Sequence, residues 1–224
     1  MKKPLTVARV REILLSDGGV DLYVWWLLDL PDDQPFETAW AALRRPEQIA
    51  WIAAFVSCSG SDLQVRLIRA LVACARIAVP KFDCLAHSEK ALDLAQRIEA
   101  WTLTRTTKGA DHIHDASNQF LAIGRAGHPH DSATRAGIEA IGSVGLFVGA
   151  EDCDPDAASC GVNWVVRALG FEGGAARDAA VAQCVEILRR ELPYDVIDAA
   201  VRELDDDDSS NAPSPPARAP TVLN

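Results

Sequence analysis

Four of the five histidines in this 224-residue chain fall within one stretch, "GADHIHDASNQFLAIGRAGHPHDSATRA" at 109–136. They form two His-x-His-Asp tetrads, His112, His114 and Asp115, then His128, His130 and Asp131, sixteen residues further on. Neutral imidazole is a common ligand for zinc and related ions, and adjacent carboxylates either join the ligand set or orient the rings. An ion held there would activate water, so one reading of the stretch is a metal-dependent hydrolase using zinc or another divalent metal. The local sequence also supports a different reading. "GHPHDS" is a Gly/Pro loop that does not preset the direction of either ring, and the polar run 105–117 reads as loop as well. His87 is the only further histidine. On this second reading two exposed loops flank one helix near 117–125, the aspartates cap helices, and no cofactor is bound.

A second set of oxygen ligands is "EDCDPD", with Glu151, Asp152, Asp154 and Asp156. It lacks the twelve-residue spacing, central Gly and final Glu of an EF-hand. It fits an acidic helix start, with Asp154 as cap and Pro155 at the first helical position. As part of a surface for a basic partner the same cluster would still be useful. The charge distribution favours such a partner. Residues 1–110 carry 14 Lys+Arg and 13 Asp+Glu, net +1, whereas residues 111–224 carry 8 and 19, net -11, so the net charge of -10 comes entirely from the second half. An acidic half repels phosphate backbones, which argues against nucleic acid as a partner, and attracts basic protein. There is no Walker loop, no G-x-S-x-G and no dinucleotide fingerprint. None of the six cysteines forms C-x-x-C, and Cys74 and Cys184 sit in apolar helical patterns as core thiols.

The elements that must hold these residues are helical. Apolar stripes recur at helical spacing: Val7, Val10, Ile13 and Leu14; then Leu63, Leu67, Leu71, Cys74 and Ala78. Ala91, Leu94, Ile98 and Trp101 form another, and Ala180, Cys184, Ile187 and Leu188 a fourth. Ser61 precedes Gln64 by three, a capping box, and Pro80 stops the helix it opens. Pro46 starts a helix, Ser88 is a cap candidate for the helix ending at Trp101, and Asp131 or Ser132 for the next. That next segment, "ATRAGIEAIGSVGLFVG", contains four glycines and is either a closely packed helix or an irregular one. "VDLYVWWLLDL" (20–30) reads as a buried helical turn or a strand. The six tryptophans are assigned to the core, and Arg66, Arg69 and Arg76 to a solvated face that pairs with acidic residues. The fold class expected is all-α, one domain of eight to ten helices over residues 1–204. The tail 205–224, with four consecutive Asp and then Pro, Ser and Ala, is expected to be disordered. The start has charges where a signal peptide needs apolar residues, and the longest apolar run, 49–58, is half a membrane span. A cytoplasmic protein with reduced thiols is therefore expected.

The segment "LVACARIAVPKFDCLAHSEKALDLAQRIEAW" (71–101) places Cys-Ala-Arg in an apolar helix. A Pro-containing polar break follows, then a charged Ala/Leu helix ending in Trp. It resembles the helical immunity proteins of bacterial polymorphic toxin systems. "VEILRRELP" (185–193) is similar to the C-terminal end of that group. The resemblance covers about residues 60–105 and 157–193. It implies a non-enzymatic protein that binds and blocks one cognate toxin. Three functions thus stand as expectations: toxin-neutralising immunity protein, metal-dependent hydrolase, and helical interaction scaffold.

Overall fold

The computed structural model describes residues 4–15, 25–57, 61–130, 132–149 and 154–210, with backbone only for 205–210. Ten α-helices are found among them: α1 (Val7–Leu14), α2 (Phe36–Ala42), α3 (Pro46–Phe55), α4 (Asp62–Ala78), α5 (Leu85–Thr104), α6 (Thr107–Gly127), α7 (Ala133–Gly149), α8 (Pro155–Gly170), α9 (Gly174–Glu191) and α10 (Tyr194–Ser210). Two short 3₁₀ turns, Trp25–Asp29 and Val79–Lys81, complete the described elements, and the fold class is all-α as expected. No helix among the described residues is long and apolar enough to cross a membrane.

The helix boundaries have local causes. Ser61 Oγ accepts from the Gln64 N–H at 3.1 Å, Ser132 Oγ from the Arg135 N–H at 3.1 Å and Asp154 from the Asp156 N–H at 2.9 Å. Each satisfies one of the donors a helix start leaves free. Pro46 and Pro155 sit in the first turns of α3 and α8. α5 starts earlier than its Ser88 cap candidate. Cys84 takes the capping position without a side-chain bond, and Ser88 lies inside the helix with its hydroxyl directed at the Cys84 carbonyl. α10 continues through Ser210, across the four Asp, because a packed helix propagates at little cost per residue beyond its last core contact. The rest of the expected tail, 211–224, lies outside the described residues, as do Cys58 and Cys153.

The main core runs from Leu5 to Val201, with a small cluster of Ala78, Ala136 and Ala168 beside it. α7 packs most extensively against α8 and α6, and α8 also meets α3, α4 and α9. α4 crosses the middle, touching α3, α5, α7, α8 and α9. Its stripe of Leu63, Leu67, Leu71, Cys74 and Ala78 is buried, and the Cys74 thiol faces the Cys184 carbonyl of α9 at 3.9 Å. That contact and burial push the Cys74 thiol up, as befits a core thiol. The glycines of α7 settle the choice left open by its sequence. It is a continuous helix, and a Cβ on Gly145 would overlap Ser117 of α6. α1, α2 and α10 gather at one end, where Arg11 donates to the Leu27 and Leu30 carbonyls at 2.6 and 3.1 Å.

One assignment is revised. Trp40, Trp51 and Trp101 are buried as expected, but Trp25 is 52 % exposed on a 3₁₀ turn, where a five-residue element cannot turn every large side chain inward. The described part of the 20–30 run is a helical turn of the 3₁₀ type, one of the two forms its sequence left open, with Leu27 buried. Arg69 and Arg76 do reach out from α4 to partners, Thr102 Oγ1 at 3.3 Å and Glu99 at 2.7 Å.

Candidate functional site

The first His-x-His-Asp tetrad is helical, not a loop. Thr106 caps α6 by accepting from the Gly109 N–H at 3.2 Å, and Ile113, Ser117, Phe120, Leu121 and Gly124 form its buried stripe. His112 and His114 lie two residues apart on that helix. Side chains at this spacing diverge by about 200° around the axis, so the two rings cannot converge on one ion. His112 and Asp115 are exposed and His114 is half-buried. His128 ends the same helix, its N–H bonded to the Gly124 carbonyl at 3.1 Å. The fourteen-residue step from His114 to His128 spans about 21 Å of helix. A single ion bridging the two tetrads, as a four-histidine hydrolase site requires, is incompatible with this geometry. Nor do His128 and His130 share a site. The His130 Nδ1 lies 3.2 Å from Arg167, and its ring meets Trp164 edge-on at 6.0 Å between centroids. Asp131 lies outside the described residues.

His128 instead meets His87. The His128 Nε2 and His87 Nδ1 are 3.1 Å apart, with the rings at 77° and 4.9 Å between centroids. Asp83 Oδ2 is 3.9 Å from His128 Nδ1. One ligand atom from each of Asp83, His87 and His128 lies within 4.8 Å of the others. Asp83 and His87 come from the start of α5, His128 from the end of α6, and the backbone at each is held. The Asp83 N–H donates to Thr134 Oγ1 of α7 at 3.0 Å, and Thr134 is buried. Arg135 of α7 points Nη1 at the His128 carbonyl, 3.5 Å away, while its Nε contacts Glu139 at 3.4 Å. The sequence reading did not include Asp83 and His87 in the metal set. Their signal was Asp-x-x-x-His across a helix start, "DCLAH", which only the packing of α6 beside α5 turns into a cluster with His128.

The acidic set divides. Glu151 and Asp152 lie outside the described residues. Asp154 and Asp156 are exposed at the start of α8, and Asp156 Oδ1 accepts from Trp51 Nε1 of α3 at 3.2 Å. Their charge is felt one turn on. Burial, then Asp156, Asp154 and Glu139, pushes the Cys160 thiol up from its ordinary value. Cations of the second half are mostly engaged within the fold. Arg125 and Arg135 converge on the buried Glu139, Arg202 pairs with Asp198 at 2.8 Å, and Arg189 donates to the Trp40, Ala41 and Leu43 carbonyls. An open cleft of about 510 Å³ between α8 and α9 is lined by Asn163, Val166, Arg167, Gly170, Phe171 and Arg177. Arg167 there is stacked over Trp164 at 4.9 Å and bonded to His130.

Compared with protein-family models, with curated proteins and with solved structures, the chain gives no match.

Proposed function

We propose that this chain is a non-enzymatic bacterial binding protein of the immunity type, which neutralises a cognate toxin by occupying its surface. The observation that carries the reading is the pair of exposed carboxylates at the start of α8, Asp154 and Asp156, which together with the larger effect of burial push up the neighbouring Cys160 thiol. That field sits within a half-chain carrying 19 Asp+Glu against 8 Lys+Arg, several of whose arginines are used internally. A basic partner is steered to such a surface, and like-charged surfaces are repelled from it. The rigid all-helical core supports a preformed face, so little ordering entropy opposes docking.

The test uses a toxin encoded in the same locus. Co-expression should rescue growth, and the purified pair should bind with an affinity that falls at least about tenfold between about 0.1 M and 1 M salt. The Asp154→Asn, Asp156→Asn double variant keeps the capping oxygen and the acceptor for Trp51 while removing both charges. It should slow association with little change in the stability of the free protein. Rescue without detectable binding, or binding indifferent to both salt and the double variant, would count against charge-guided docking.

A further inference from the structure

We propose that Asp83, His87 and His128 form a binding site for one divalent transition ion of the zinc type. The donor set is two imidazole nitrogens and one carboxylate, a composition suited to such an ion. Zinc–nitrogen bonds of about 2.0–2.1 Å at tetrahedral angles place two ligand nitrogens about 3.3 Å apart. The His128 Nε2 to His87 Nδ1 separation is 3.1 Å, so the rings need to open by only a few tenths of an ångström. The carboxylate has further to move, since the three ligand atoms span up to 4.8 Å, but Asp83 is 65 % exposed and its χ angles are free to turn. The less mobile ligand is His128, whose side chain is 13 % exposed.

The site is positioned before any ion arrives. Asp83 is anchored through its N–H to Thr134, His87 through its N–H to the Cys84 carbonyl at 3.1 Å, and His128 through its N–H to Gly124. Two helices, α5 and α6, therefore present the ligands, α7 holds the Asp83 backbone through Thr134, and binding need not order them. The exposed side by Asp83 leaves room for water as a fourth ligand. The Arg135 guanidinium, which reaches the His128 carbonyl, also contacts Glu139, and this offsets its repulsion of an incoming cation. An ion here would tie the start of α5 to the end of α6, across 41 residues of sequence between His87 and His128. It would leave His112, His114 and His130 uninvolved.

The experiment uses the full chain without a histidine tag, titrated with Zn²⁺ by calorimetry and with Co²⁺ by absorption. One equivalent should bind, with the visible band of tetrahedral Co²⁺. His87→Gln and His128→Gln should each weaken binding by more than the roughly 10–100-fold that loss of an outer-shell partner costs. Asp83→Asn should weaken it as well, while a His112→Gln, His114→Gln double variant should bind as the unaltered chain does. In the unaltered chain, Zn²⁺ should shift the imidazole resonances of His87 and His128 and raise the melting temperature. That readout needs no variant to fold. No binding, imidazole shifts confined to His112, His114 or His130, or binding that survives both His87→Gln and His128→Gln would each overturn the site.

Discussion

Tyr194 shows how packing alters a single side chain. Its ring lies 6.2 Å from that of Phe36, and its hydroxyl donates to Asp198 Oδ1 at 3.3 Å. Burial first, then the Asp198 carboxylate, pushes the phenol up to about 12. A tyrosine in the unfolded chain ionises near pH 10. The folded state therefore holds a proton that the unfolded state has lost between those two values. The stabilisation is present in full below about pH 10 and is lost as the pH rises towards about 12. A denaturant series across that window should show stability falling in the unaltered chain and a flatter profile in Tyr194→Phe. Phenolate absorbance should show one tyrosine titrating late. Both tyrosines ionising together near 10 would contradict the assignment. At the same scale the histidines show why residue type alone misdirects. His112 and His128 carry the same motif, yet one is exposed on a helix and the other is packed against His87.

The α6–α7 pair illustrates how elements place the site. α7 closes on α6 because glycine removes the side chain where Ser117 stands, and the Ser117 hydroxyl turns back to the Ile113 carbonyl at 2.7 Å. This approach, together with Gly124 against Ile138, keeps the end of α6 fixed, and with it His128. Gly145→Ala gains helix propensity but must displace Ser117, and overpacking of this kind costs about 1–3 kcal/mol. Urea denaturation should show the loss, and Ser117→Gly in the same chain should recover part of it. A neutral Gly145→Ala would mean that α6 and α7 can separate freely. The turn before α6 is similarly constrained. Arg105 adopts a left-handed conformation (φ 51°), and Trp101 Nε1 donates to the Thr106 carbonyl at 2.9 Å. That short turn returns the chain antiparallel to α5 and brings its far end back to His87.

Across the whole molecule, Arg189 links distant parts of the chain. From α9 it donates to the carbonyls of Trp40, Ala41 and Leu43 at 3.1, 2.7 and 2.6 Å, capping the end of α2. Desolvation, with Arg44 nearby, lowers its pKa, yet it remains a cation at neutral pH and satisfies carbonyls that a helix end leaves free. Arg189→Met keeps much of the apolar stem and removes the donors. Hydrogen bonds to charged groups contribute about 1.5–3 kcal/mol, and a total loss of that order is expected here. Hydrogen exchange should show α2 and the adjoining α1 losing protection before α4 and α8. Uniform loss across all helices would mean that the N-terminal group does not depend on this contact.

The helical class was legible in the sequence because it rests on local rules. Stripes at a period of 3.6, serine and aspartate caps, and prolines in first turns act within a few residues of one another. Ser61, Ser132, Asp154 and the α4 stripe could be assigned from neighbours alone. Where a local cue was weak, the reading failed. The polar 105–117 run hid the start of α6, since its stripe begins only at Ile113 and its cap, Thr106, is followed by Thr107, Lys108 and Gly109 with no apolar residue among them. Which histidines meet was beyond any local rule. Asp83 and His87 lie more than forty residues from His128, and what joins them is the lengths of α5 and α6, the tight turn at Arg105 and the glycine-permitted approach of α7. Those are sums over the whole core, in which every helix must bury its stripe at once, and the tertiary structure alone decided them.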